Sequence, residues 1–281
     1  MESFMRFQRI NDHDQLKTIA KSVRKSVITS LSAAGSGHLG GSLGLADIFT
    51  FLYFNIMNHD PADPTWKGRD RMILSIGHVA PVLYATLAHA GYFSIDELVT
   101  LRKLGSRLQG HPGRDHGLPG LELSAGSLGQ GLSVAVGMAL AGRIDQSDHN
   151  VYCILGDGEL QEGSVWEAAM AAAHHKLGNL CAIVDRNGVQ IDGCTEKVMA
   201  IEPLADKWSS FGWQVFTCDG NDFGELADVF AKISPDRKRP SVIIAKTVMG
   251  KGITAIEGDY RWHGKAPARE QAIEFIKEID S

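Results

Sequence analysis

Residues 155–163 read LGDGELQEG and follow directly on the apolar run Val151–Leu155, VYCIL. Glycine lets a backbone turn tightly and lets a ligand approach it, while an aspartate between two glycines offers hard oxygen ligands. The pattern therefore suits a metal with an anion. The same residues also make an ordinary strand-to-helix turn with Asp157 as a helix cap, and the stretch alone does not separate the two readings.

Working outward from this turn, short apolar runs alternate with helical patterns. Candidate strands are RMILS (71–75), VYCIL (151–155), LCAIVD (180–185), QVFTCD (214–219) and SVIIAKT (241–247). Helical spacing recurs at 80–90, 129–143, 164–177, 200–211 and 222–233. Earlier, Leu16, Ile19, Ala20, Val23, Val27, Ile28 and Leu31 repeat at intervals of three and four, predicting one long amphipathic helix from Asp14 to Ala34. A second helix is expected from about Ser42, a good capping residue, through LADIFTFLYF. Continuous apolar strands separated by helices imply an α/β fold, a mostly parallel sheet with helices on both faces. No repeat, low-complexity tract or linker divides the chain, so a single domain over 1–281 is expected.

The 281 residues suffice for a large core, and 44% apolar with 22% charged residues is the balance of a globular protein. A net charge of -5 gives no argument for nucleic acid or membrane as a partner. No apolar run approaches a bilayer span, and MESFMRFQRINDHDQLK lacks a signal-peptide core, so a cytoplasmic protein is expected. Cys153, Cys181, Cys194 and Cys218 form no CxxC pair and read as reduced, mostly buried thiols.

Ligands bind parallel α/β sheets at the carboxyl ends of the strands. The GDG turn lies at such an end, and so does DRNGVQIDG (185–193), about thirty residues further on. Asp157, the side-chain carbonyl of Asn187 and a main-chain carbonyl shortly after it could converge on magnesium shared with water and a diphosphate. From 11 His and 31 Gly, about one Gly-His pair is expected by chance; there are three, at His38, His78 and His111, and His263 precedes Gly264. Glycine beside histidine leaves the imidazole accessible for proton transfer or hydrogen bonding. Each alone reads more readily as a loop or capping residue; the set of four points toward a site. His13, His59, His149, His174 and His175 are assigned to surface or packing. GSGHLG (35–40) matches the dinucleotide fingerprint but follows a helix rather than a strand, so a nicotinamide enzyme is rejected. SAGSLGQGLSVAVGMALAG (124–142) is a glycine-rich turn running into a small-residue helix, suited to an anion at the turn and to close packing along the helix.

The chain resembles the thiamine diphosphate enzymes, and within them transketolase. GDG at 156–158 with Asn187 looks like the cofactor and magnesium motif. GSGHLGGSLGLADI, DRMILSIGH, QGHPG, SAGSLGQGLSVAVGMAL, LGDGELQEGSVWEAA, HHKLGNL, NGVQIDG and RWHGKAP follow in the family's order over roughly residues 15–270. The resemblance implies a thiamine diphosphate-binding fold, with thiamine diphosphate and Mg2+ as cofactors. It implies metal ligation by Asp157, Asn187 and the main-chain carbonyl of Val189. His78, Gly158 and His263 would contact the diphosphate, Gly126 and Leu128 would line the cofactor, and Ile191 would pack near its rings. His38, His111 and His263 would face the sugar, binding its hydroxyls and aiding proton transfer. Glu162 and Glu167 match acidic positions near the family's subunit interface. Leu39 departs from the family, where many members have proline.

In the family the glutamate that activates the cofactor belongs to a separate pyrimidine-binding domain, in a chain more than twice as long. This sequence reaches Ser281 soon after WHGKAP. The resemblance therefore implies the amino-terminal subunit of a split transketolase. A partner chain would supply the pyrimidine-binding and carboxy-terminal domains and most sugar-phosphate contacts, with two copies of each chain. Together they would transfer a two-carbon ketol unit from a ketose phosphate to an aldose phosphate through a covalent thiamine adduct. Two alternatives stand beside this: a subunit of a thiamine diphosphate enzyme acting on a 2-oxo acid, and a non-catalytic assembly subunit.

Overall fold

The computed structural model describes residues 8–233 and 238–281. Part of the amino-terminal stretch read above, residues 1–7, lies outside them. Helix α1 (His13–Ala34) begins where the Asp12 carboxylate accepts the amides of Asp14 and Gln15, and ends at Gly35 with φ +69°. Its repeating apolar residues Leu16, Ala20, Val23, Val27, Ile28 and Leu31 are all fully buried. Then follow α2 (Leu39–Gly44), α3 (Ala46–Phe51), β1 (Arg71–Leu74), α4 (Ala80–His89), α5 (Gly131–Ile144), β2 (Val151–Gly156) and α6 (Gly163–His174). The second half contains β3 (Leu180–Arg186), a small hairpin of β4 (Val189–Gln190) and β5 (Gly193–Cys194), α7 (Thr195–Val198), α8 (Leu204–Ser210), β6 (Gln214–Asp219), α9 (Phe223–Lys232), β7 (Ser241–Lys246) and α10 (Arg269–Asp280).

Five strands form one parallel sheet in the order β1-β2-β3-β7-β6. Because successive side chains point to opposite faces, each strand feeds two apolar clusters. Tyr152, Ile154, Cys181, Ile183, Ile243 and Ala245 join the cluster that packs against α1–α4, α9 and α10. Val151, Cys153, Leu155, Ala182, Val184, Val242 and Ile244 join the one beneath α5, α6 and α8. Helices on both faces explain why the strands read as unbroken apolar runs, each fully buried Val, Leu or Ile contributing about 1.5–3 kcal/mol.

The expected strands are all present, their ends shifted by a residue at most. The second helix differs: it starts at Leu39, and Ser42 lies inside it, donating its hydroxyl to the His38 carbonyl at 2.8 Å. Tertiary packing overrides glycine's poor helix propensity here. A Cβ on Gly40 would lie 2.7 Å from Met249, and one on Gly41 2.9 Å from Val79. α5 and α8 are shorter than their periodic patterns, while α10, carrying buried Ala272, Phe275 and Ile279, was not anticipated. All four cysteines are free; Cys153, Cys181 and Cys218 are buried and Cys194 is exposed. Among the described residues no helix is long and apolar enough to cross a membrane.

Candidate active site

β2 and β3 are neighbours, with Gly156 opposite Asp185, so their polar exits leave the sheet side by side. Asp157 is only 2% exposed. One of its oxygens accepts the Gly158 amide at 2.7 Å; the other accepts the Gly188 amide at 2.7 Å and an Arg186 guanidinium N–H at 2.8 Å. It also caps the short 3-10 turn Gly158–Gln161, so the capping and site readings describe the same carboxylate. Burial pushes its pKa up, against the opposing pull of Arg186 and the two amides.

Behind it, Asp185 accepts the Thr247 hydroxyl on one oxygen and the Asn187 side-chain amide, at 2.8 Å, on the other. Burial pushes Asp185 up to about 7, against the Thr247 bond. Pinning the Asn187 NH2 group on Asp185 directs the Asn187 carbonyl oxygen the other way, where it accepts the Val189 amide at 3.0 Å. Arg186 also pairs with Glu196 at 2.7 Å and Glu202 at 3.0 Å, so three carboxylates surround one guanidinium and the locale stays net negative. Among the described residues no three His, Cys, Asp or Glu side chains gather to enclose a metal. A buried carboxylate, an amide oxygen held by its own NH2 bond and the main-chain carbonyls of the neighbouring turn are instead the donor types of an open magnesium site that takes its remaining ligands from water and phosphate. The residues present are therefore compatible with that ion.

Four segments bring the histidines together. The ring centroids of His38 and His78 are 5.0 Å apart, those of His78 and His263 5.0 Å, His38 and His263 5.7 Å, and His38 and His111 6.4 Å. His38 precedes α2, His78 lies on the 3-10 turn Gly77–Val79 after β1, and His263 ends the 3-10 turn Tyr260–Trp262. At Gly77 the approach needs glycine, since a Cβ there would sit 2.9 Å from the Ala125 carbonyl carbon; at Gly264 a Cβ would make only ordinary contact with the His38 ring, at 3.7 Å. Leu39, where many family members have proline, is buried and donates its amide to the Lys265 carbonyl at 3.3 Å, a bond proline could not make. That bond ties the His38 segment to the His263 segment.

Among the described residues none of the four rings has a hydrogen-bond partner, and the buried His38 Nδ1 is an orphaned polar atom. Burial, with positive charge nearby, lowers the pKa of His38 to about 4; burial and the neighbouring histidines lower His78 to about 3. Burial also lowers His111 and His263. At neutral pH the cluster is four uncharged imidazoles that can accept or donate.

Of the other expected residues, Gly126 is exposed beside His111, at 3.9 Å from a Cβ built on it, and Leu128 packs partly into the first apolar cluster. Gly158 faces the Gln190 side chain, 3.3 Å from a Cβ built on it. Ile191 is at the hairpin tip, 67% exposed, in neither apolar cluster. Glu162 and Glu167 are exposed at the start of α6. His59 is a satisfied core residue, its ring bonded to the Tyr53 carbonyl and the Tyr92 hydroxyl. Sequence reasoning did not find Asp185, Arg186 and Thr247 as supports of the site, nor Glu159 and Ser75. A charged residue closing a buried strand was the available signal for Asp185; nothing marked Thr247. Two cavities, of about 680 and 770 Å3, are lined by other residues; of the four histidines His111 is exposed and His38, His78 and His263 are half-buried.

The family model described as transketolase, thiamine diphosphate binding domain, matches residues 15–279. The chain is 42% identical over 256 residues to an apulose-4-phosphate transketolase subunit from Phocaeicola vulgatus, covering 91% of this chain and 90% of that one. It is 41% identical over 261 residues to the 6-deoxy-6-sulfo-D-fructose transketolase subunit SqwG of a Clostridium species, covering 93% and 94%. The crystal structure of transketolase from Campylobacter jejuni superposes with a TM-score of 0.88 at 36% identity, covering 96% of this chain but 43% of that one. The clustered histidines and the Asp157–Asn187 turn pair thus sit in a match that runs along nearly the whole of this chain, though it spans under half of the Campylobacter jejuni transketolase, and the chain belongs to the transketolase family, as a thiamine diphosphate-binding domain.

Proposed function

We propose that this chain is the amino-terminal subunit of a two-chain transketolase, holding thiamine diphosphate and magnesium at the carboxyl edge of its sheet. The observation that carries this reading is the meeting of four glycine-flanked, unpartnered, uncharged histidines beside the Asp157–Asn187 turns. A protein kept only for assembly has no need of a half-buried imidazole cluster in which the orphaned, buried His38 Nδ1 alone costs about 1–3 kcal/mol. The proposed reaction moves a two-carbon ketol unit from a ketose phosphate to an aldose phosphate. Bound thiamine diphosphate supplies the thiazolium carbon on which such a unit is carried.

This chain's own residues would then divide the work. Asp157, the Asn187 side-chain oxygen and the Val189 carbonyl hold magnesium. His78, His263 and the Gly158 backbone take the diphosphate, and Gly126, Leu128 and Ile191 line the cofactor. His38, His111 and His263 bind sugar hydroxyls, and the neutral rings relay protons to and from them. Likeness to subunits covered over 90% and 94% of their length, while this chain spans 43% of a one-chain transketolase, supports a partner chain that closes the site. A cytoplasmic assembly of two copies of each chain fits the twofold symmetry usual for such enzymes. The test is ketol transfer with magnesium, thiamine diphosphate and a panel of sugar phosphates, by this chain alone and with its partner. Turnover only with both chains is the expected result; robust turnover by this chain alone overturns the split-enzyme reading.

A further inference from the structure

Glu159 is a buried acid that the chemistry above leaves unused. It is 2% exposed and stands two residues beyond Asp157. One oxygen accepts the Ser75 hydroxyl at 2.5 Å and the Gly129 amide at 2.7 Å; the other accepts the Gly156 amide at 3.2 Å. Ser75 in turn accepts the Gly131 amide at 3.0 Å. One carboxylate therefore joins three separate loops: the exit of β1 leading to His78, the turn into α5 carrying Gly126 and Leu128, and the exit of β2 carrying Asp157 and Gly158.

The loops have no slack around this knot. A Cβ on Gly131 would overlap the Ser75 side chain, one on Gly129 (φ +81°) would lie 2.6 Å from the Ser164 hydroxyl, and one on Gly156 2.9 Å from Ile76. Burying a carboxylate is costly unless its lone pairs are filled, so a neutral residue would be the easier occupant of an ordinary core position. Here every bond goes to a residue within three positions of His78, Leu128 or Asp157, the Gly131 amide that opens α5 included.

We propose that Glu159, with Ser75 as its bridge, is a positioning residue that locks the three cofactor-facing loops and so sets cofactor affinity without touching the ligand. The inference rests on the reading that these loops hold thiamine diphosphate. Glu159→Gln keeps the shape but turns an NH2 group toward an amide that needs an acceptor. Ser75→Ala keeps the carboxylate and cuts only its bridge, which keeps the test informative where Glu159→Gln does not assemble.

The experiment titrates thiamine diphosphate into the two-chain enzyme at saturating magnesium, by calorimetry and by turnover, for wild type, each variant and the double variant. The expected result is a cofactor Kd raised roughly tenfold or more, as for supports behind metal ligands, with most turnover recovered at saturating cofactor. The double variant should be no weaker than the weaker single one, because both cut the same link. Affinity within about twofold of wild type in both variants, or a turnover loss that saturating cofactor does not recover, overturns the proposal. A wild-type complex that binds no thiamine diphosphate overturns the functional reading first and this one with it.

Discussion

The two halves of the site are built on opposite plans. On the carboxylate half every side chain is wired: Asp157 accepts three hydrogen bonds, Asp185 two and Glu159 three, and Arg186 is shared among three acids. On the histidine half each of four rings sits 5.0–6.4 Å from at least one other, with no hydrogen-bond partner among the described residues. A hydrogen-bonded group is held at one angle before anything binds, which suits ligands for an ion that needs fixed oxygen positions. An unpartnered group keeps its donor and acceptor for what arrives. On the proposed reading the first half holds the ion and the second exchanges protons and hydroxyl contacts.

The largest expected effect tests the second half. His111→Ala and His263→Ala should each lower ketol transfer by roughly 10²- to 10⁴-fold in the assembled enzyme, the range for lost acid–base contributions. The melting temperature should change little, since no hydrogen bond within the chain is lost. Turnover within a few-fold of wild type in both variants would break the contrast, leaving the cluster as packing.

A smaller loss, of a different kind, is expected on the first half. Asp157→Ala removes a proposed metal ligand and frees Arg186 to its remaining carboxylates. Thiamine diphosphate affinity in magnesium should drop by about a hundredfold, the upper end of what supporting groups behind metal ligands cost. Raising magnesium should not restore it. Calorimetry of the assembled complex reads this directly, and an unchanged Kd would mean that Asp157 serves only as the cap of its 3-10 turn.

The contrast also marks where the sequence could be read. Apolar runs such as Val151–Leu155 predicted the strands to within a residue, because burial on both sheet faces leaves a signal that needs no partner to interpret. The histidines were visible through glycine, since Gly-His pairs announce close backbone approach wherever the loop goes. Supports were not visible. Thr247 and Ser75 lie 62 and 84 residues from the acids they bond, and nothing local to a serine or threonine records an acid that distant. Ser42 misled for the converse reason: its capping propensity is local, while the start of α2 is set by glycine contacts with Met249 and Val79.

The smallest effect concerns pH and distinguishes the halves by sign. His38 and His78 are lowered to about 4 and about 3, whereas an unfolded histidine titrates near 6.5. Between those values the unfolded chain binds protons that the native chain refuses, so these groups contribute stability above pH 6.5 that is lost as pH falls toward 4. The raised carboxylates, Asp185 at about 7 among them, act in the opposite direction over the same range, because the native state then binds the extra proton. The wild-type slope mixes both contributions, so the informative quantity is a difference between proteins. His78→Asn replaces the imidazole with a neutral group that does not titrate. Without cofactor or magnesium, the variant should gain on wild type as pH drops from 6.5 to 4, by at most about 1.4 kcal/mol per pH unit for one proton. Urea unfolding at pH 6.5, 5.5 and 4.5 measures it. A gap that stays constant across those three values would show that His78 protonates in the native state, and that the histidine half is not held neutral by its burial.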